Sequence, residues 1–206
     1  MQISPTSRTH HHLWLPAVAA AVLAISALAC NLGAARNFAP PTPPATVEAS
    51  EDALHSFNNK WRDLNITTPN GPFSLSFTEA ELTSAVTEAI DRAEAQQGQS
   101  IPLEDVQVHT NAEGTIDVYA KVMLEPLALN GLITVVPAIS PQGRVELDVT
   151  EAEFGPVDVD TSMLEDVVNG VEQTINEPLQ TSPFDITLTG ITVTDTEMTI
   201  TGTIGP

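Results

Sequence analysis

One cysteine, seven basic residues, one tyrosine and two tryptophans are all that these 206 residues contain of four informative kinds. A lone cysteine cannot close a disulfide within the chain, and with no second cysteine there is no CxxC pair for a structural zinc site. Seven Lys and Arg against 27 Asp and Glu give a net charge of −20. Such a surface repels a phosphate backbone, which excludes nucleic acid as a partner. It also repels an anionic bilayer, so any membrane contact has to come from a lipid anchor or from apolar residues. Catalytic motifs are missing as well: there is no GxSxG elbow, no P-loop and no HExxH. After Cys30 only His55 and His109 remain, and both read as surface residues, His109 because it alternates with Val108 on a strand. The stretch "DVDTS" at 158 to 162 starts like a calcium loop but has Met163 at the sixth position and Asn169 at the twelfth. It reads as a strand end followed by a helix cap. No enzyme activity, metal or cofactor is expected.

The cysteine has a use that needs no partner. Arg8 and His10 to His12 form a basic head, and Leu13 to Ala29 follow as seventeen residues without charge. This is the layout of a secretory signal peptide, and about 20 residues would be wanted for a permanent span. The ending Ala27-Leu28-Ala29-Cys30 resembles a bacterial lipoprotein signal, in which the cysteine is lipidated and becomes the new N-terminus. Ala27 stands where such signals usually carry leucine. An Ala-x-Ala cleavage site with an incidental cysteine, or an uncleaved anchor, are the other readings of the same residues. The expectation is a signal peptide at 1–29 and an extracytoplasmic protein held to the bacterial cell membrane through lipid on Cys30.

Residues 30–49 read as a tether, since Pro40, Pro41, Pro43 and Pro44 favour extended chain over packing. Ser50 then caps a short amphipathic helix over 50–65, with Leu54, Phe57, Trp61 and Leu64 on one stripe. The stripe packs on the domain behind it or, alternatively, lets Phe57 and Trp61 dip into a bilayer. The domain proper runs from 69 to 206. Phe73, Leu75 and Phe77 alternate as a half-buried strand, Thr78 and Glu81 form a capping box, and Leu82, Val86, Ala89, Ile90 and Ala93 continue at helical spacing. Val106 and Val108, a turn at Asn111 to Gly114, and Ile116, Val118, Ala120, Val122 and Leu124 read as an antiparallel hairpin. "LITVVPAI" (132 to 139) and Val145, Leu147 and Val149 add two strands around the turn at Ser140 to Gly143, with Pro137 suited to an edge or a strand end. Val157 and Val159 lead into a second capping box, Ser162 with Glu165, and a helix carrying Leu164, Val167, Val168, Val171 and Ile175, which Pro178 ends or kinks. Ile191 and Val193, then Met198, Ile200, Gly202 and Ile204, form a last hairpin. Strand, capped helix and hairpin thus occur twice, the order an internal β-α-β-β duplication would give.

Together "FTEAELTSAV", "PLEDVQVHTNAEGTIDVYAKV", "GRVELDVTEAEFGPVDVDTSMLEDVVNGVEQTIN" and "ITLTGITVTDTEMTITGTI" resemble bacterial lipoprotein domains of the tubular lipid-binding (TULIP-like) type, including the LmeA-like phospholipid-binding proteins. The resemblance implies an α+β fold in which a curved antiparallel sheet wraps around one or two amphipathic helices and leaves an apolar groove for a phospholipid or fatty acyl ligand. Leu82, Val86, Ile90, Val118, Val122, Leu164 and Val168 are the candidates for lining it. The rival expectation is a non-catalytic structural or protein-interaction module of the cell envelope, in which the same residues fill a solid core.

Overall fold

The computed structural model describes residues 40–67, 70–97, 100–124, 127–154 and 161–205, with only the backbone described at 65–67, 96, 97, 124, 127, 161–164, 166 and 167. The signal peptide and Cys30 lie outside the described residues. Helix α1 spans Glu51–Thr67. Ser50 starts it: its Oγ accepts the Ala53 N–H at 3.2 Å, taking up one of the donors a helix start leaves unpaired. The stripe Phe57, Trp61 and Leu64 is buried, and the Phe57 and Trp61 rings lie 4.8 and 5.6 Å from that of Phe77. These aromatic residues therefore pack on the domain and are not free to enter a bilayer.

Strand β1 (Gly71–Thr78) runs directly into α2 (Glu79–Gln97). The capping box forms as the sequence suggests, with the Thr78 N–H donating to Glu81 Oε2 at 2.8 Å and the Glu81 N–H to Thr78 Oγ1 at 3.4 Å. Residues 81 to 86 are all buried. A helix covered on every side is a central helix, and its small polar residues Thr83 and Ser84 are hydrogen-bonded.

The remaining strands are β2 (Leu103–Thr110), β3 (Ile116–Leu124), β4 (Leu127–Ile139), β5 (Val145–Glu153), β6 (Asp185–Val193) and β7 (Glu197–Gly205), with α3 (Thr161–Thr181) between β5 and β6. They form two antiparallel sheets, β1-β7-β6 and β2-β3-β4-β5. The pairing makes the repeated order visible in space. In each half a leading strand is followed by a helix and a hairpin: β1, α2, β2-β3 and then β5, α3, β6-β7. The leading strand β1 joins the hairpin of the other half directly, while β5 reaches the first hairpin through the extra strand β4. Strand β4 is long enough to serve two neighbours in turn: β3 pairs with it up to Val135, and β5 pairs from Leu132 to Ile139. Pro137 therefore lies beyond the end of β3, at a locally free edge where its missing N–H costs no ladder bond. Gly202 is required by close approach, because a Cβ there would stand 2.6 Å from the Thr187 carbonyl oxygen and 2.7 Å from the Phe73 ring.

Two expectations are corrected. His109 is not a surface residue but is 3 % exposed. Strand β2 carries a bulge between Glu104 and Gln107, where Asp105 takes φ 52°. Beyond it the strand is covered on both faces, and the edge of the His109 ring meets Tyr119 at 5.5 Å. Val149 continues the alternation of Val145 and Leu147 in the same register with β4 but is exposed, at the last pair before the bulge that leaves Thr150 unpaired. Helix α3 begins at Thr161, one residue before the expected cap Ser162, whose side chain lies outside the described residues, and it continues through Pro178.

Candidate functional site

The apolar faces of these elements converge on one interior space. Phe57 of α1, Leu82, Ala85 and Val86 of α2, and Val168, Val171, Thr174 and Ile175 of α3 line it on the helical side. Val108, Ile116, Val118, Ile133, Val135, Leu147 and Met198 line it from the strands. Among the described residues Thr174 is the only polar one in this lining, and its Oγ is used to hydrogen-bond the Gly170 carbonyl oxygen at 3.0 Å. The free volume inside is about 60 Å³, a small fraction of the several hundred cubic ångströms typical of a ligand pocket.

Of the residues named from sequence, Leu82, Val86, Val118 and Val168 meet around this space. Ile90 and Val122 are buried in the same hydrophobic core but do not line the cavity, and the side chain of Leu164 lies outside the described residues. Periodicity missed Phe57 and Leu147. Phe57 sits on a helix that sequence alone assigns to a separate segment, and Leu147 comes from the edge strand that α3 covers.

Both outer strands of the four-stranded sheet are closed by helix side chains. On β2, the Val108 N–H donates to Thr83 Oγ1 at 2.9 Å and the Thr110 N–H to Glu79 Oε1 at 2.9 Å. On β5, the Val145 N–H donates to Asn176 Oδ1 at 2.9 Å, Asn176 Nδ2 returns a bond to the Val145 carbonyl oxygen at 2.8 Å, and the Leu147 N–H donates to Glu172 Oε1 at 2.7 Å. The arithmetic explains the match. Two residues of strand advance roughly 6.6 Å and four residues of helix roughly 6 Å, so acceptors at i and i+4 of a helix meet alternate N–H groups of an edge. These clamps fix the helices over the sheet and hide edges that would otherwise recruit another strand.

A second polar network holds α1 on α2. Lys60 Nζ lies 2.6 Å from Glu81 Oε2 and donates to the Ser76 carbonyl oxygen at 2.6 Å, while Ser56 Oγ donates to Glu81 Oε1. Burial by itself would raise the Glu81 pKa. The hydrogen bonds from Lys60, Ser56 and the Thr78 N–H, with the Lys60 charge, outweigh it and hold the carboxyl below its ordinary value. His109 completes the polar interior: its Nδ1 is 3.5 Å from Glu79 Oε1, and its Nε2 is buried without a hydrogen-bond partner. Among the described residues no group of three or more His, Cys, Asp or Glu is placed to hold a metal ion.

Among the described residues, two antiparallel sheets and three helices around an interior lined almost wholly by hydrocarbon define a scaffold suited to holding apolar matter by burial. The chain belongs to the LmeA-like phospholipid-binding family, which matches residues 42–203. The match spans the two sheets and three helices of the described residues, and lipid binding is the property it brings. No curated protein matches the chain.

Proposed function

We propose that the protein binds phospholipid by drawing acyl chain into the apolar space between α2, α3 and the two sheets, and that lipid on Cys30 holds it at the outer side of a bacterial membrane. The observation that carries the reading is the lining: fourteen of its fifteen described residues are apolar, so each methylene buried against them contributes about 0.8 kcal/mol. The space is nearly closed, so uptake requires a wall to move. Helix α3 is that wall, because Val168 and Val171 are only half-buried while the facing residues of α2 are buried. The Cys30 anchor rests on the residues before it and adds proximity to the membrane, not affinity for the ligand.

The second reading, a cell-envelope module with a solid core, is favoured by one observation, the free volume of about 60 Å³. A pair of substitutions separates the two. Val168→Trp places bulk on the movable wall and is expected to lower binding of a fluorescent fatty acyl probe by roughly tenfold or more, with a stability change of less than about 1 kcal/mol. Val86→Trp overpacks the fixed wall and costs about 1–3 kcal/mol or more. Mass spectrometry of the protein extracted from its membrane reads co-purified lipid and acyl mass on Cys30 together. Absence of lipid, with no probe binding by the wild type, would leave the solid-core module.

A further inference from the structure

The lipid-binding part of the chain is poor in cations, and the structure commits most of those it has. Residues 40–206 contain Lys60, Arg62, Arg92, Lys121 and Arg144 as their only Lys and Arg, against all 27 acidic residues. Lys60 is held between Glu81 and the Ser76 carbonyl oxygen. Arg92 lies 2.8 Å from Glu177 and 3.3 Å from Glu88, so it ties α2 to α3. Lys121 is paired with Asp105 across the β2–β3 ladder, and Arg62 lies 3.5 Å from its exposed neighbour Asp63. Arg144 alone makes no ion pair among the described residues. It is exposed at the turn between β4 and β5, and its neighbour Val145 faces the core instead. Among the described residues the cavity lining contains no charged side chain.

An anionic headgroup left outside a filled groove would meet a surface dominated by carboxylates, with no lysine or arginine placed at the lining to receive its phosphate. Bidentate arginine contacts are the usual protein answer to a phosphate, and among the described residues the one arginine without an ion pair sits at an exposed turn. A surface rich in anionic lipid would repel the approaching protein for the same reason, the reverse of the attraction that basic segments feel.

We propose that this protein selects lipid by its acyl chains and against negative charge: it exchanges zwitterionic and uncharged lipids and discriminates against anionic lipids and anionic surfaces. The proposal rests on acyl uptake as described above, and its test keeps the two apart. Transfer of a labelled lipid by the purified protein is followed between vesicles of phosphatidylcholine, and between vesicles of the same acyl composition made largely of phosphatidylglycerol. Transfer of the labelled analogue matching each vesicle is expected to be roughly three- to tenfold faster for phosphatidylcholine at low salt, and the gap should close as ionic strength rises and the Debye length shrinks. Labelled diacylglycerol in the phosphatidylcholine vesicles should transfer at a rate like phosphatidylcholine. Arg144→Ser should leave the ratio unchanged. Equal or faster transfer of phosphatidylglycerol, or selective loss of its transfer in Arg144→Ser, would overturn the selectivity while leaving acyl uptake standing. Failure to bind or transfer any of these lipids would remove acyl uptake itself, and the selectivity with it.

Discussion

Helices α2 and α3 each run antiparallel to an edge strand of the four-stranded sheet, and each offers it two side chains four residues apart, Glu79 and Thr83 on one side and Glu172 and Asn176 on the other. What surrounds them differs. Helix α2 starts from a strand through a closed capping box, is buried on every side from 81 to 86, and carries α1 on its outer face through Lys60 and Glu81. Among the described residues helix α3 has its clamps from Glu172 onward, and the cavity-lining Val168 and Val171 before them are half-buried. Gly170 lies just ahead of the clamps, and a Cβ at that position would have nothing within 4 Å. A glycine inside a helix is destabilising relative to alanine, and packing gives no reason for this one. The same clamp chemistry therefore makes a fixed wall on one side of the apolar space and a loosely held one on the other.

The largest effect that tests this contrast lies behind the fixed wall, where β1 meets α1. Phe77 is fully buried and touches the rings of Phe57 and Trp61, so Phe77→Ala is expected to cost about 3–5 kcal/mol in denaturant unfolding. Val171→Ala on α3 should cost about 1 kcal/mol, because a half-buried valine removes less apolar area from water. A cost at Val171 approaching that at Phe77 would show α3 to be packed as tightly as the α1–α2 side.

A middle-sized effect sharpens the comparison through pH. The folded-state pKa of Glu81 lies below its ordinary value, so the stabilisation from its ionised form is complete above the ordinary glutamate range and is lost as pH falls through the lower folded value. Acid should therefore loosen the α1–α2 side, seen as reduced amide protection in α1. Asn176 does not titrate, so the clamp on Val145 lacks this sensitivity. Glu81→Gln should flatten the acid limb of the melting curve, and loss of the cap through Thr78→Ala should cost about 0.5–2 kcal/mol at neutral pH. An acid limb unchanged by Glu81→Gln would show that other carboxylates carry it.

Much of this arrangement was legible in the sequence, and the failures have a common cause. Thr78 with Glu81, the turns at Asn111 and Ser140, and the alternation of Phe73, Leu75 and Phe77 are local signals, written in residues that touch one another. The stripe of Phe57, Trp61 and Leu64 announced a buried face but not the surface it meets, so the part played by Phe57 in the cavity was out of reach. His109 shows the limit most clearly. Period-two alternation says which way a side chain points, yet whether that side is wet depends on α2 lying along the edge of β2, and no spacing within the strand encodes this. The bulge at Glu104 to Gln107 interrupts alternation without any glycine to mark it, and Val149 keeps the register of Val145 and Leu147 yet ends exposed. The cavity itself is a difference between packed volumes, a quantity that a pattern of apolar residues leaves open.

The smallest effect bears on the loose wall alone. Gly170→Ala introduces no clash, since the site is empty within 4 Å, and it removes the backbone freedom that glycine contributes to the unfolded chain and to bending. The variant is expected to be more stable by about 0.5–1 kcal/mol, read as a melting temperature higher by a few degrees. If α3 yields at Gly170 to admit an acyl chain, the same stabilisation has to be overcome on the way to the open groove. Association of a fluorescent fatty acyl probe should then slow by roughly two- to fivefold, as 0.5–1 kcal/mol on a barrier implies. A rise in melting temperature with an unchanged association rate would show that α3 does not bend at this residue, and the wall that moves would have to be sought elsewhere around the cavity.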